Sequence, residues 1–471
     1  MRAHEAGALH AEVGPAPAWL APPADVNALV DTLWPTGVRR GEDGALTVAG
    51  VSVTELAERF GTPAYVVDEA DLRGRARAFR EAFEAAFDGA ADVYYAAKAF
   101  LTTHVARWVA QEGLRLDVCT GGELAVAQRA GVPGEHIELH GNNKSPAELE
   151  MALDAGVARI VVDADVEIDR LARLAARRGV VAPVMVRVTV GVEAHTHEYI
   201  ATAHEDQKFG FSLAGGDAGR AIERILACPS LRLVGLHSHI GSQIFDDSGF
   251  EVAARRVLGL HAEVAARHGV QLAELDLGGG FGMAYTSQDD PATPAEHAGR
   301  LAEIVTRECA ALGIAVPRIS VEPGRAIAGP AVFTLYQVGV IKPVLLDGGH
   351  RRTYVAVDGG MSDNIRTALY DASYSATLAS RSSTAAPMLS RVVGKHCEAG
   401  DIVVKDEFLP ADLAPGDLVA VPGTGAYCRS MASTYNHVPR PPVVAVRDGQ
   451  PRLLVRRERV EDLIGLEVDG S

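Results

Sequence analysis

A chain of 471 residues is too long for one small domain and long enough to bury two substantial cores. Hydrophobic residues make up 48% of it and charged residues 23%, which excludes a disordered or fibrous chain. With 61 acidic against 45 basic residues, the formal charge of −16 opposes non-specific binding to nucleic acid or to an anionic membrane, while leaving room for a local basic phosphate pocket.

The five cysteines (Cys119, Cys228, Cys309, Cys397, Cys428) are scattered and form no Cys-x-x-Cys pair, so neither a disulfide framework nor a zinc site is expected. The N-terminus has no basic segment followed by an apolar stretch, and no apolar run approaches the roughly 20 residues that span a bilayer. A soluble, cytoplasmic protein is expected.

In chain order, residues 1–25 are rich in Ala, Pro and Gly and read as a flexible arm. Residues 26–61 read as a segment that packs with a later β domain through Ala45–Val53. From 62 to 330, short apolar runs alternate with amphipathic stretches such as Asp165–Arg178 and Phe250–His268. The strand candidates are Ala64–Val67, Val93–Ala97, Leu114–Val118, Ile137–His140, Arg159–Val162, Val184–Val190, Leu233–His239, Glu274–Leu277 and Ile319–Glu322. Such alternation means parallel strands joined by crossover helices. Assigning Ala64–Val67 to the connection from the other domain leaves eight strands. Each ends at a polar or glycine signal: Lys98, Asp117, His140, Asp163, Arg187, His239, Gly278–Gly280 and Glu322. A (β/α)8 TIM-like barrel gathers its strand ends around one site, which a doubly wound open sheet does not. Residues 331–471 change pattern: Val332–Val340, Thr353–Val357, Ile402–Val404, Leu418–Val421, Val443–Val446 and Leu453–Val455 are strand-like with few helical stretches between them. A mostly β C-terminal domain is expected.

Lys98 closes the run Asp92-Val-Tyr-Tyr-Ala-Ala-Lys98, a buried-strand pattern that delivers one primary amine. Burial would lower its pKa and make it a nucleophile for a carbonyl or for pyridoxal phosphate; the alternative is an ammonium that reaches water. Gly278-Gly-Gly-Phe-Gly282 lets backbone N–H groups approach an anion, as a plain turn also would. In His237-Ser-His239-Ile-Gly-Ser-Gln243, an imidazole can stack on a flat cofactor while Ser242 and Gly241 offer phosphate donors. A His-x-His metal pair is the competing reading, with His195, His197 and His204 as a second cluster. No recognisable ligand spacing supports it, and no metal is expected. Glu322-Pro-Gly-Arg325 pairs a carboxylate suited to a protonated pyridine nitrogen with a guanidinium suited to a carboxylate or phosphate. Cys397-Glu398 lies in a charged loop, which favours an accessible thiol over a buried one.

These motifs together resemble the diaminopimelate decarboxylases, pyridoxal-phosphate enzymes of the alanine-racemase-like fold type. The match runs from Thr62 to Val438. It takes in Tyr95-Ala-Ala-Lys-Ala-Phe100, Leu116-Asp-Val-Cys-Thr-Gly-Gly-Glu123, His140-Gly-Asn-Asn-Lys144, Gly191–Glu198, His204–Gly210 and His237–Gln243. It continues through Gly278–Gly280, Glu322–Arg325, Met361-Ser-Asp-Asn364 with Arg366 and Tyr370, Cys397-Glu398 and Tyr427. Ser238 departs from the pattern, falling where many relatives have cysteine, and residues before about 60 carry no match.

The resemblance implies pyridoxal 5'-phosphate held as a Schiff base by Lys98, with His239 stacked on its ring and Glu322 on the pyridine nitrogen. It further implies a phosphate site from Ser242, Gly279, Gly280, Gly324, Arg325 and Tyr427, and Cys397 as the general acid. Arg325, Arg366, Tyr370, Glu398 and Tyr427 would recognise the substrate. The implied reaction is meso-2,6-diaminopimelate to L-lysine and CO2, the last step of lysine biosynthesis, in a homodimer whose active sites are shared between chains. The rivals are a related pyridoxal-phosphate decarboxylase of another basic amino acid, which would lose the Met361–Tyr370 set, a non-enzymatic pyridoxal-phosphate carrier, which would need no β domain, and an amino-acid racemase, which would carry a tyrosine in place of Cys397-Glu398.

Overall fold

The computed structural model describes residues 16–191, 208–245, 248–346 and 349–468. The chain divides into two compact units, one of residues 73–282 and 291–327, the other of residues 1–72, 283–290 and 328–471. The histidines His195, His197 and His204, and most of the N-terminal arm, lie outside the described residues.

In the first unit, eight parallel strands close on themselves: β1 (Ala91–Ala96), β2 (Arg115–Val118), β3 (Ile137–Leu139), β4 (Arg159–Val162), β5 (Ala182–Thr189), β6 (Leu231–His237), β7 (Glu274–Asp276) and β8 (Arg318–Val321). The ring closes where β8 pairs with β1, with Ile319 opposite Ala91, and it is continuous at β4–β5, with Ile160 opposite Val184. Closure rules out the doubly wound sheet. A short strand absent from the sequence reading, Phe211–Ser212, adds to the edge of β5.

The barrel strands form where they do because their apolar residues are buried on both faces, as a sheet wrapped by helices requires. Side chains that accept the first free amides start the helices. Thr102 caps Thr103–Gln111 and Thr120 caps Gly121–Ala130, while Ser145 and Thr293 form capping boxes for Pro146–Ala155 and Pro294–Leu312.

The second unit is mostly β. Its main sheet runs in the order Ile402–Pro410, Pro387–Val393, Arg351–Val357, Val332–Leu345, Ala64–Asp68, Val443–Arg447, Gln450–Val455; Leu418–Pro422 also pairs with Val332–Leu345. Ala64–Asp68 is therefore an interior strand of this sheet, antiparallel to Val332–Leu345 and parallel to Val443–Arg447. This pairing moves the boundary expected at residue 62 to residue 73. Residues 283–290, placed in the barrel on sequence, also belong with the β unit. A small antiparallel sheet of Val38–Arg40, Leu46–Val48 and Val51–Ser52 contributes Leu46, Val48 and Val51 to one core with Trp34, Phe333, Leu335, Ala420 and Val444.

Candidate active site

In the barrel unit, the polar residues that end the strands converge. A single 3-10 turn, Ala97–Ala99, follows β1 and carries Lys98. Its amine lies 3.9 Å from Asp117 Oδ2 at the end of β2. The strand is buried, but the lysine side chain is 42% exposed, so the structure corrects the expectation of an amine buried by its strand. The side chain is partly open to solvent, with a buried carboxylate beside its amine. Burial pushes Asp117 up to about 6, with His140 and Lys98 opposing the rise and Glu322 adding to it.

His239 lies two residues past β6, and its Nδ1 accepts a hydrogen bond from the Gly279 amide at 3.0 Å. That bond puts the imidazole proton on Nε2 and fixes the ring against the glycine loop. Burial holds His239 well below the ordinary histidine value, and Lys98 and Arg187 push in the same direction. Two glycines are required here. A Cβ on Gly279 would stand 2.2 Å from the Glu322 carbonyl oxygen, and Gly280, at φ 112°, would place one 2.5 Å from the Gly241 carbonyl oxygen. Ser242 Oγ accepts from Arg325 Nη2 at 2.8 Å and from Nε at 3.3 Å. Gly324 approaches β1 closely enough that a Cβ would meet Ala96 and Ala99 at about 3 Å.

Behind these residues lies a buried polar cluster that sequence reasoning missed. Arg159 is fully buried and donates to Glu138 Oε2 at 2.7 Å, Glu274 Oε2 at 2.6 Å and Asp276 Oδ2 at 2.5 Å, with its guanidinium 4.5 Å from the Tyr94 ring centroid. Burial pushes the Glu138 and Asp276 carboxyls up from the usual carboxylate range, while the Arg159 guanidinium between them opposes the rise. The signal was present in the sequence as charges inside apolar runs, Ile137-Glu-Leu139 and Leu275-Asp-Leu277.

His140 and His237 join this cluster. Burial lowers His140 to about 4 and His237 to about 3 from the ordinary 6.5. Below pH 6.5 the unfolded chain protonates both imidazoles, whereas the folded barrel keeps them neutral until about 4 and about 3. The stability tied to their neutral forms is therefore complete above pH 6.5 and is lost progressively as the pH falls from there toward about 4 and about 3. In scanning calorimetry, Tm is expected to fall less steeply from pH 7 to pH 5 in His237→Gln than in the wild type. Parallel slopes would show that His237 titrates normally in the fold.

In the β unit, Arg366 is buried, with its guanidinium 5.3, 5.7 and 5.6 Å from the ring centroids of Tyr285, Tyr370 and Tyr427. Its Nε has no hydrogen-bond partner among the described residues. Tyr427 takes a left-handed backbone, φ 66°, an uncommon conformation for a tyrosine. Tyr285 was not foreseen; it sits in an irregular stretch with no periodicity to mark it. Cys397 and Glu398 are exposed on a loop and have no described contact with Arg366. That loop is tied down by Asp401, whose carboxylate accepts from the Met361 amide at 2.6 Å and the His396 amide at 2.7 Å. The His396 ring bonds Ser362 Oγ at 2.8 Å and Asn436 Oδ1 at 3.0 Å.

Pyridoxal 5'-phosphate suits the barrel's donor set. A half-exposed amine, a ring held flat by a glycine amide, a carboxylate and a cradle with no room for a Cβ stand at adjacent strand ends. The family model described as "Pyridoxal-dependent decarboxylase, pyridoxal binding domain" matches residues 69–329, and the chain belongs to that class. Among curated proteins, it is 54% identical to the diaminopimelate decarboxylase of Mycobacterium leprae over 99% of this chain and 100% of that one. It is 56% identical to that of Mycobacterium tuberculosis over 93% and 98%, respectively. A crystal structure of diaminopimelate decarboxylase from M. jannaschii superposes with TM-score 0.85 at 30% identity, covering 93% of this chain and 98% of that one. The chain is a member of the diaminopimelate decarboxylase family. Solved structures of lysine/ornithine decarboxylase from Vibrio vulnificus match at 23–24% identity and share the fold. Among the described residues, no helix is long and apolar enough to cross a membrane.

Proposed function

We propose that this chain decarboxylates meso-2,6-diaminopimelate to L-lysine and CO2, as a cytoplasmic homodimer that uses pyridoxal 5'-phosphate. The similarity to named diaminopimelate decarboxylases over nearly the whole chain supports the reaction. The observation that carries the substrate assignment is Arg366, a buried guanidinium among three tyrosine rings with an uncommitted Nε. Such a group suits a distal carboxylate, which ornithine lacks.

Bound at Lys98, the cofactor supplies an electron sink for the pair left when CO2 departs. Lys98 Nζ would anchor it, His239 would hold its ring, and Glu322 would serve its pyridine nitrogen. Ser242, Gly279, Gly280, Gly324, Arg325 and Tyr427 would receive its phosphate. Arg366 and Tyr370 orient the distal carboxylate, and Glu398 accepts from the distal ammonium. Cys397 Sγ delivers a proton to the carbon that CO2 leaves, so that a C–H bond replaces the C–C bond. The exposure of Cys397 and Glu398 in the single chain is in keeping with their acting on a second copy's site.

The test is CO2 release from meso-diaminopimelate, with lysine formed in equal amount, by the reconstituted enzyme, and little release from ornithine. Equal turnover of the two would discard the substrate assignment in favour of a broader decarboxylase of basic amino acids.

A further inference from the structure

His237 ends β6 with its side chain fully buried, and its Nε2 lies 3.0 Å from Glu322 Oε1 at the end of β8. Its Nδ1 has no hydrogen-bond partner among the described residues. A neutral imidazole carries one N–H, and only the tautomer with that proton on Nε2 gives it an acceptor. His237 therefore donates to Glu322. His140 meets the His237 ring edge-on, with centroids 4.9 Å apart and planes at 71°, and its Nε2 comes within 3.3 Å of the same Glu322 oxygen without forming a hydrogen bond. Both imidazoles address Oε1 of this carboxylate.

We propose that His237 is a positioning residue that turns Glu322 so that its second oxygen meets the cofactor's pyridine nitrogen, with His140 bracing the imidazole from the side. The inference rests on the assignment of Glu322 to that nitrogen. An imidazole suits the task better than a second charge would. It orients the carboxylate by one directed N–H and stays neutral through the working pH range because burial disfavours its cation. The same geometry admits one competing chemistry. His140, His237 and Glu322 each bring a ligand atom within 4.8 Å of the others, a spacing that a divalent ion would use.

The experiment compares wild type, His237→Phe, His237→Gln and Glu322→Gln, each stripped of cofactor and titrated with pyridoxal 5'-phosphate. Fluorescence quenching gives the dissociation constant, and 15N NMR of ring-labelled cofactor reports whether the pyridine nitrogen is protonated. His237→Phe is expected to weaken binding about tenfold, the worth of one directed hydrogen bond to a charged group, and to shift the nitrogen signal toward the unprotonated position. His237→Gln, whose amide nitrogen takes the place of Nε2, should restore both. A role in packing alone would be rescued by Phe rather than by Gln, and that result overturns the proposal. If Glu322→Gln leaves the nitrogen signal unchanged, the assignment of Glu322 fails and the proposal falls with it. If Glu322→Gln shifts the signal and His237→Phe does not, only the role of His237 is overturned. Stoichiometric zinc retained by the wild type after dialysis, and absent from His237→Phe, would likewise overturn it by making the three residues ligands.

Discussion

Lys98→Ala is expected to abolish turnover, lowering kcat by at least about four orders of magnitude, and to leave the purified protein without the visible absorbance of bound cofactor. The loss would be chemical. The side chain is 42% exposed and sits on a one-turn connection, so its truncation should cost the fold no more than about 0.5 kcal/mol, and Tm should stay near that of the wild type. A variant that keeps both colour and activity would remove Lys98 from the site. The same variant tests the shared dimer. Cys397→Ala should also be inactive, yet mixing the two and allowing chains to exchange should regain about a quarter of wild-type activity. Half of the dimers would then be mixed, and each would hold one intact site of two. No recovery after exchange shown by differently tagged chains would place Cys397 on the same chain as its Lys98.

Arg366→Leu is expected to lower kcat/KM for diaminopimelate by roughly a thousandfold while leaving the cofactor absorbance intact, because a substrate carboxylate would lose its buried partner. Arg366→Lys should recover little. The ammonium is a compact point charge and cannot present the planar fork that three surrounding rings now hold in place. Steady-state kinetics with diaminopimelate and with ornithine decides the matter. If both substrates suffer equally, Arg366 supports the fold rather than selecting the carboxylate.

The barrel was legible because parallel strands covered on both faces read as apolar runs, and because polar residues mark where those runs end. Asp117, His140, His239 and Glu322 stood out as polar residues closing such runs. The interior charges were not legible as a group. Glu138, Arg159 and Asp276 come from three separate strands, and their pairing exists only once the sheet closes. In the β unit, Pro387–Val393 was missed because Pro387, Ser390 and Arg391 break its apolar pattern. The structure satisfies Arg391 through the Lys405 carbonyl at 2.8 Å, which no local pattern foretells. Val332–Leu345 runs five residues past its expected end because its second half, with Gly339, Lys342 and Pro343, faces outward and needs no apolar alternation. Ile402–Pro410 was cut short for a related reason: Lys405, Asp406 and Glu407 interrupt its apolar start, and Asp406 answers Arg352 at 2.9 Å.

The double acceptance by Asp401 has a consequence for anyone who would redesign selectivity. One carboxylate fastens the turn at Met361, which leads into Arg366, to the loop that carries Cys397 and Glu398. The Gly360 and Gly394 backbones lie so close to it that a methyl group on either would come within 2.5 Å of its oxygens. On the proposed roles of Arg366 and Cys397, the segment that would choose a substrate and the loop that would donate the proton are joined as one cassette. A graft that swaps either alone would break the joint between them, so a transplanted specificity must carry residues 359–370 and 394–401 together.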